Sequence, residues 1–269
     1  MANMSSAQSE AAKLRYLHVG MGLLGLLRRF ALYRATLQQN FETAFSAKAI
    51  EERLSTESFQ QMFDEHGEYR KPEPQETPRI LRLGNEMEAS GYASNVYASS
   101  VILIANNMLQ EFAAYIGARN GAALRCGPDV SGVPFSIALW AAGNAIRHHD
   151  EWSRKIKPPF TVTVRARHKQ AFASIDPLRQ VVPSTFEMTY FSIAEVLAKL
   201  SDESFEYFVE RVFSTAKAFA VTDALYQMAW DWGQEMADKL ARAAEPAEVL
   251  APADAEAASR QSQALSRVG

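Results

Sequence analysis

The chain has 269 residues, of which 48% are hydrophobic and 22% are charged, and its formal net charge is -3. This composition is typical of a globular protein and excludes a disordered or fibrous chain. The acidic balance argues against a protein that coats nucleic acid without specificity, because that mode needs a surplus of Lys and Arg, although a local basic face is compatible with it. The single cysteine, Cys126, excludes an intrachain disulfide and a thiolate-rich zinc site.

The longest apolar stretch, residues 16–27, predicts a buried helix segment. It is shorter than the roughly 20 residues that a membrane-spanning helix needs. It also continues directly into Arg28 and Arg29 without a small-residue cleavage site, which disfavours a signal peptide. We therefore expect a cytoplasmic protein without a membrane partner.

Large apolar residues spaced by three and four predict a long first helix from about Glu10 to Phe45. They are Leu23, Leu26, Phe30, Tyr33, Leu37, Phe41 and Phe45. A second helix is expected to begin at Ser55 or Thr56, either of which can cap the amides of a first turn that carries Glu57. Three prolines and four charges in residues 69–78 then predict a surface loop.

The helical pattern returns from Tyr92 to Arg119, where Asn120-Gly121 supplies a left-handed stop. Residues 126–134 contain two glycines and two prolines and predict a turn. Phe135 to about Lys155 is expected to form another helix, which ends before Pro158. Phe160 to Val164 alternates like a short strand, either an extended connection or part of a small hairpin.

Additional C-terminal helices are expected over about 169–240. The helical pattern runs from Phe186 to Leu200, then from Ser201 to about Ala220, and on to about Leu240. Residues 243–269 have few large apolar groups and are predicted to form a disordered tail. The sequence thus predicts an all-α helical bundle with long antiparallel helices, as a single domain over residues 1–242.

Two short segments resemble each other within the chain. Leu54-Ser55-Thr56-Glu57-Ser58-Phe59 is matched by Leu200-Ser201-Asp202-Glu203-Ser204-Phe205, and both are predicted as helix, cap and helix. The match indicates a duplication or, as the favoured interpretation, a common way to begin a helix.

The densest polar cluster lies in residues 144–152, inside an otherwise apolar helical segment. At helical spacing, Trp140, Asn144 and His148 lie on one face, with Arg147 and Glu151 at neighbouring offsets. An amide, a guanidinium, an imidazole and a carboxylate can therefore converge on this helix.

This set of groups is chemically useful. Imidazole exchanges protons near neutral pH, guanidinium holds a phosphate by two hydrogen bonds, and a carboxylate can orient either group. The candidate catalytic residues are Arg147 and His148, the candidate phosphate ligands are Asn144 and Arg147, and Glu151 and His149 support them. The alternative is purely structural, with Arg147 and Glu151 as an i,i+4 ion pair on the helix surface.

Two long helices followed by a helix with an Asn-x-x-x-His stretch resemble the HEPN superfamily of all-helical nucleotide-binding and ribonuclease domains, common in bacterial defence and toxin systems. The resemblance covers about residues 10–155. The signature of catalytic members is an Arg, usually followed by a polar residue, then four to six residues, then His. Asn144 and His148 match the polar residue and the His, whereas Gly143 occupies the Arg position.

The resemblance implies a metal-independent ribonuclease, or an RNA- or nucleotide-phosphate-binding protein, that acts as a homodimer without a cofactor. In such an enzyme the His handles a proton of the 2′-hydroxyl attack and the Arg steadies the phosphate, a role for which Arg147 is the substitute in this chain. A bacterial defence or toxin–antitoxin setting implies a cognate antitoxin or partner protein. The alternative is a non-enzymatic helical interaction protein that dimerises through its long first helix.

Two other sets of residues could form a site. A metal site could draw its ligands from the run His148, His149, Asp150 and Glu151, with His66, but the spacing fits no standard signature and no metal is expected. The basic run Arg165, Arg167, His168 and Lys169 could contact a phosphate backbone or form a solvated loop, and the loop is the favoured interpretation. The chain also has no Gly-rich phosphate loop and no Gly-x-Ser-x-Gly elbow, which disfavours the common nucleotide-driven motors and hydrolases.

Overall fold

The computed structural model describes residues 6–64, 66–118, 125–183 and 192–220. Its helices are α1 (Ser6–Met62), α2 (Thr77–Tyr115), α3 (Phe135–Lys155), α4 (Val162–Arg167), α5 (Lys169–Val181), α6 (Ile193–Ser201) and α7 (Phe205–Ala220), and its strands are β1 (Asp129–Val130) and β2 (Val133–Pro134). The predicted all-α class is confirmed. Across these described ranges, no helix combines the length and the apolar character that crossing a bilayer requires.

The two longest helices, α1 and α2, pack side by side in opposite directions. Arg29 in the first half of α1 pairs with Glu111 near the end of α2, and Arg79 at the beginning of α2 pairs with Glu57 near the end of α1. The buried stripe of α1 contains Leu23, Leu26, Phe30, Leu37 and Phe41, as the sequence pattern predicts, whereas Tyr33, placed on the same stripe by its spacing, is 43% exposed. The prediction of long antiparallel helices is therefore confirmed.

Helices α3, α5, α6 and α7 complete one apolar core with the α1–α2 pair. Phe135 of α3, Ile175 of α5, Leu197 of α6 and Phe208 of α7 are all fully buried in it. A polar anchor joins α6 to α2, because Asn95 Oδ1 accepts the backbone N–H of Ile193 at 2.6 Å and that of Ala194 at 3.2 Å. This side chain satisfies amide groups that the first turn of a helix otherwise leaves unpaired.

The predicted break in the first helix is wrong, because α1 continues from Ser6 to Met62. Leu54 is 4% exposed and extends the buried stripe past the expected boundary. The hydroxyl of Thr56, expected to cap a new helix, instead donates to the carbonyl of Glu52 at 3.0 Å inside the continuous one. Packing along α2 therefore prevails over a local capping signal.

Helix α2, predicted from Tyr92, begins earlier than its apolar pattern indicates, at Thr77. Pro78 lies in its first turn, where the missing N–H of proline removes no helical hydrogen bond. The loop predicted over residues 69–78 is confirmed as far as Glu76. The helix ends at Tyr115, followed by Gly117 with a φ of +76°, and the predicted stop at Asn120-Gly121 lies outside the described residues.

The turn predicted at residues 126–134 contains the small β1–β2 hairpin. Ser131 and Gly132 form its two-residue loop with φ values of 55° and 81°, the positive values that a type I′ turn requires. Asp129 Oδ1 accepts the Gly132 N–H at 2.7 Å and closes the loop. The next prediction, a helix over Phe135 to Lys155, is confirmed at both ends.

The short strand predicted at residues 160–164 is wrong, because Val162 begins helix α4. The hydroxyl of Thr161 caps this helix by accepting the Val164 N–H at 3.3 Å. Val162 is 85% exposed, so the alternation of apolar residues does not mark a sheet face. Arg165 holds α4 against α5 through an ion pair with Asp176 and a cation–π contact with Phe172, 4.5 Å from its guanidinium carbon to the ring centre.

Helices follow from residue 169, as predicted. Helix α6 begins at Ile193 after Ser192, whose hydroxyl accepts the Glu195 N–H at 3.4 Å, and α7 begins at Phe205, four residues later than Ser201. The predicted helix start at Phe186 lies outside the described residues, as do the continuation to Leu240 and the tail over residues 243–269.

Candidate functional site

The polar cluster of α3 lies in a groove between α3 and the α4–α5 region. The groove has a volume of about 600 Å³. One wall is a stripe of α3 side chains spaced by three and four residues, namely Trp140, Asn144, His148, Glu151, Trp152 and Lys155. The structure therefore brings together three of the predicted site residues, Asn144, His148 and Glu151.

His148 is held in place by two neighbours on its own helix. Its Nδ1 lies 3.3 Å from Glu151 Oε2, and its ring stacks on Trp152 with the ring centres 6.1 Å apart. If Nδ1 donates to this carboxylate, Nε2 is the nitrogen that can accept a proton. The His148 side chain is 49% exposed, so a ligand in the groove can reach it.

Glu151 has two cationic or polar partners. Lys155 Nζ lies 2.8 Å from its Oε1, and this hydrogen bond, followed by that with His148, holds the pKa of the Glu151 carboxyl below its usual range. The carboxylate is therefore ionised at neutral pH and can orient the imidazole of His148.

Asn144 ties the two walls of the groove together. Its Nδ2 donates to the Ser174 hydroxyl of α5 at 3.1 Å, and Ser174 is fully buried. This contact fixes the distance between α3 and α5 beside His148.

The other two predicted residues, Arg147 and His149, do not line the groove. Arg147 donates to Asn107 Oδ1 of α2 at 2.7 Å, and His149 Nδ1 lies 3.1 Å from Asp150 Oδ1. The structure therefore places Arg147 toward α2 and away from His148.

Gly143, which stands where the HEPN signature has arginine, is buried against α2. A Cβ atom at this position would lie 2.6 Å from Asn106 Nδ2, and Asn106 is only 2% exposed. An arginine side chain has no room here unless Asn106 moves. Position 143 therefore supplies no cation, and the positive charges of the groove come from other residues.

The second wall supplies those cations. Arg167, His168 and Lys169 lie at the end of α4 and the beginning of α5 and line the groove together with Gln170 and Ser174. Arg167 and Lys169 are exposed, as the interpretation of a solvated run expects, but the predicted loop is wrong, because the run is helical except at His168. The run itself was visible in the sequence, but no periodic signal indicated that it folds back onto α3.

The groove concentrates positive charge in a chain whose net charge is -3. Lys155, Arg167 and Lys169 line it together with a single carboxylate, that of Glu151. Within the described part of the chain, neither Arg167 nor Lys169 has an ion-pair partner, whereas Arg165 is paired with Asp176. A concave surface with unneutralised cations attracts anions.

Aromatic and thiol groups further define the chemistry available. Trp140 is half-buried in the groove wall and can offer a ring face to a planar ligand.

Burial raises the pKa of the Cys126 thiol to about 11, which disfavours thiolate chemistry at neutral pH. Among the residues that the structure describes, no three His, Cys, Asp or Glu side chains are grouped as metal ligands, and this includes the run His148 to Glu151.

Comparisons with protein-family models, with curated proteins and with solved structures find no match for this chain. Its own fold and groove therefore define its class, an all-α protein with a cationic, tryptophan-containing groove between its third and fifth helices.

Proposed function

We propose that the groove binds a nucleotide unit, in RNA or as a nucleotide, through its phosphate. The observation that carries this proposal is that Arg167 and Lys169 line the groove without an ion-pair partner in the described ranges. Guanidinium and ammonium groups without a carboxylate are ready to bind phosphate oxygens, and arginine does so through two parallel hydrogen bonds. In this proposal the Trp140 ring stacks on the base, a contact that tolerates any base.

The finer form of the proposal is a metal-independent ribonuclease in which His148 handles the proton of the attacking 2′-hydroxyl. The Glu151 carboxylate beside Nδ1 supports this role, since it leaves Nε2 as the proton acceptor. Arg167 and Lys169 take over the phosphate contact proposed for Arg147, because Arg147 is engaged by Asn107. The HEPN resemblance adds a bacterial defence or toxin–antitoxin setting with a cognate partner protein.

Replacing His148 by alanine is the test of this function. In the presence of EDTA, we expect the wild-type chain to cleave RNA, and His148→Ala to lower the rate by about 10²- to 10⁴-fold, as loss of a general acid or base does. RNA binding, measured by fluorescence anisotropy, should change little because the cations are retained.

His149→Ala is the matched control, since His149 neighbours His148 on α3 but does not line the groove. Equal cleavage by the His148 and His149 variants would refute a role for His148. Failure of the wild-type chain to bind RNA or nucleotides would refute the function as a whole.

A second candidate function is self-association through α1, favoured by an exposed apolar stripe. Leu14, Leu17 and Met21 are 65%, 50% and 52% exposed and follow one another at helical spacing. Such a stripe is the kind of seam that a second copy of a helix covers.

Leu17→Asp is expected to shift a dimer toward monomer in sedimentation equilibrium, because a carboxylate at the centre of an apolar seam is costly to bury. Leu81→Asp is the control, since Leu81 is 63% exposed on α2. A wild-type chain that is monomeric at all accessible concentrations would exclude this function and the predicted homodimer.

A further inference from the structure

We infer that His168 is a second proton-transfer residue of the groove and acts opposite His148. This inference rests on the proposed binding of RNA in the groove and extends it, because it assigns a catalytic role that neither the α3 cluster nor the HEPN signature contains.

The placement of the two imidazoles carries the inference. Of the five histidines of the chain, His148 and His168 are the two that line the groove. They belong to opposite walls, His148 to α3 and His168 to the single non-helical position between α4 and α5. The Asn144–Ser174 hydrogen bond joins the same two walls, so the spacing of the imidazoles is set by the packed fold.

The two rings differ in their surroundings. His148 Nδ1 faces the Glu151 carboxylate, whereas the ring of His168 makes no hydrogen bond or ion pair with any residue that the structure describes. His168 is half-buried and lies between Arg167 and Lys169, the two cations proposed to hold the phosphate. All three side chains line the groove, so a phosphate held there by Arg167 and Lys169 shares the groove with the His168 ring.

A pair of imidazoles on opposite sides of a phosphate can move both protons of RNA transesterification. The 2′-oxygen attacks phosphorus while His148 Nε2 takes the 2′-hydroxyl proton. The bond from phosphorus to the 5′-oxygen breaks while the protonated His168 gives its proton to that oxygen. The products are a 2′,3′-cyclic phosphate and a 5′-hydroxyl, with no other reactant consumed.

The cations beside His168 complete this arrangement. Negative charge builds on the non-bridging phosphate oxygens during the attack, and fixed positive groups stabilise it. Arg167 and Lys169 flank His168 in the chain, so the group that protonates the departing oxygen and the groups that stabilise the charge come from one short segment.

The decisive experiment compares two substrates that differ in the leaving group. An RNA 5′-oxygen needs a proton to depart, whereas the 4-nitrophenolate of uridine 3′-(4-nitrophenyl phosphate) does not. We expect His168→Ala to lower kcat/KM on RNA by about 10²- to 10⁴-fold and on the nitrophenyl ester by less than about tenfold. His148→Ala should lose activity on both substrates and His149→Ala on neither.

The pH profile provides a second reading. A general acid must be protonated, so its loss of a proton produces the fall in rate at alkaline pH. This alkaline limb should be absent in His168→Ala and in His168→Gln, the latter chosen because it preserves most of the side-chain volume. Thermal melts of both variants check that the fold is intact.

Equal losses on the two substrates would overturn the inference and assign His168 a structural role. Binding of an RNA with a 2′-fluoro group at every position, which lacks the attacking hydroxyl but keeps the geometry of RNA, is measured by anisotropy and separates the two proposals. Binding of this analogue without cleavage of ordinary RNA would overturn the role of His168 and keep the binding function. Absence of binding would overturn both.

Discussion

Reversing two charges on the second wall of the groove, Arg167→Glu with Lys169→Glu, is expected to weaken RNA binding by about 100-fold or more. Each phosphate contact to a charged side chain contributes about 1.5–3 kcal/mol, and about 1.4 kcal/mol corresponds to a tenfold change in affinity. The reversed charges also repel phosphate, so the loss should exceed that of simple truncation. Fluorescence anisotropy with a short labelled RNA measures the change.

The dependence of affinity on salt provides an independent check. The binding constant K falls as salt concentration rises. Each lost phosphate contact should make the plot of log K against log salt less steep by about 0.7 for a single strand. The matched control is Arg82→Glu with Arg154→Glu, which makes the same change in net charge at two exposed arginines that do not line the groove. If both double variants weaken binding equally, the binding is a property of net charge and the groove has no specific role.

Replacing Gly127 by alanine is expected to destabilise the protein by about 2–5 kcal/mol, which combines a backbone term of about 1–2 kcal/mol with an overpacking term of about 1–3 kcal/mol. Gly127 has a φ of +95°, a value that residues with a side chain rarely adopt. A Cβ atom there would also overlap the hydroxyl oxygen of the fully buried Thr215 in α7. Urea unfolding followed by circular dichroism measures the loss.

Thr215→Ala, alone and combined with Gly127→Ala, separates the steric contribution from the backbone contribution. It removes the hydroxyl that the new methyl group meets, and this buried hydroxyl has no hydrogen-bond partner among the described residues. We therefore expect Thr215→Ala to recover part of the stability lost in Gly127→Ala and to leave the backbone strain. The double-mutant cycle isolates this coupling.

Gly84→Ala is the matched control for this position. A Cβ atom at Gly84, inside α2, would have no neighbour within 4 Å, so alanine should stabilise the chain by about 0.4–1 kcal/mol. A Gly127→Ala variant as stable as the wild-type chain would show that this backbone adopts another conformation in solution.

Periodicity in the sequence is sufficient where a helix buries one continuous stripe. The α1 stripe from Leu23 to Phe41 and the limits of α3 at Phe135 and Lys155 follow from it directly. The same spacing placed Asn144, His148 and Glu151 on one side of α3, where the structure shows them in one groove. These predictions rest on contacts within one helix, which spacing along the chain is enough to define.

The opposite wall of the groove could not be predicted in this way. Arg167 and Lys169 share a groove with His148 only because α5 packs on α3, and that packing depends on residues far apart in sequence, such as Asn144 and Ser174. The orientation of Arg147 is likewise set by Asn107 on a different helix. Local patterns carry no information about such contacts.

The two similar segments, residues 54–59 and 200–205, adopt different conformations, so their local sequence does not by itself determine their structure. The first lies inside α1, whereas the second is the turn between α6 and α7, with Asp202 and Glu203 at φ values of 49° and 58°. One local difference contributes, because Asp tolerates the left-handed region better than the β-branched Thr56 at the matching position.

The remaining difference comes from tertiary packing. Phe205 is 8% exposed in the core, whereas Phe59 is 53% exposed on the surface. Glu57 pairs with Arg79 of α2, and Glu203 lies 3.9 Å from Lys48 of α1. The sequence by itself determined an all-α chain with amphipathic helices and a polar cluster on α3, because these depend on spacing along one helix. Only the tertiary structure decided where helices continue or turn and which cations line the groove of His148, because those outcomes depend on burial and charge pairing between helices.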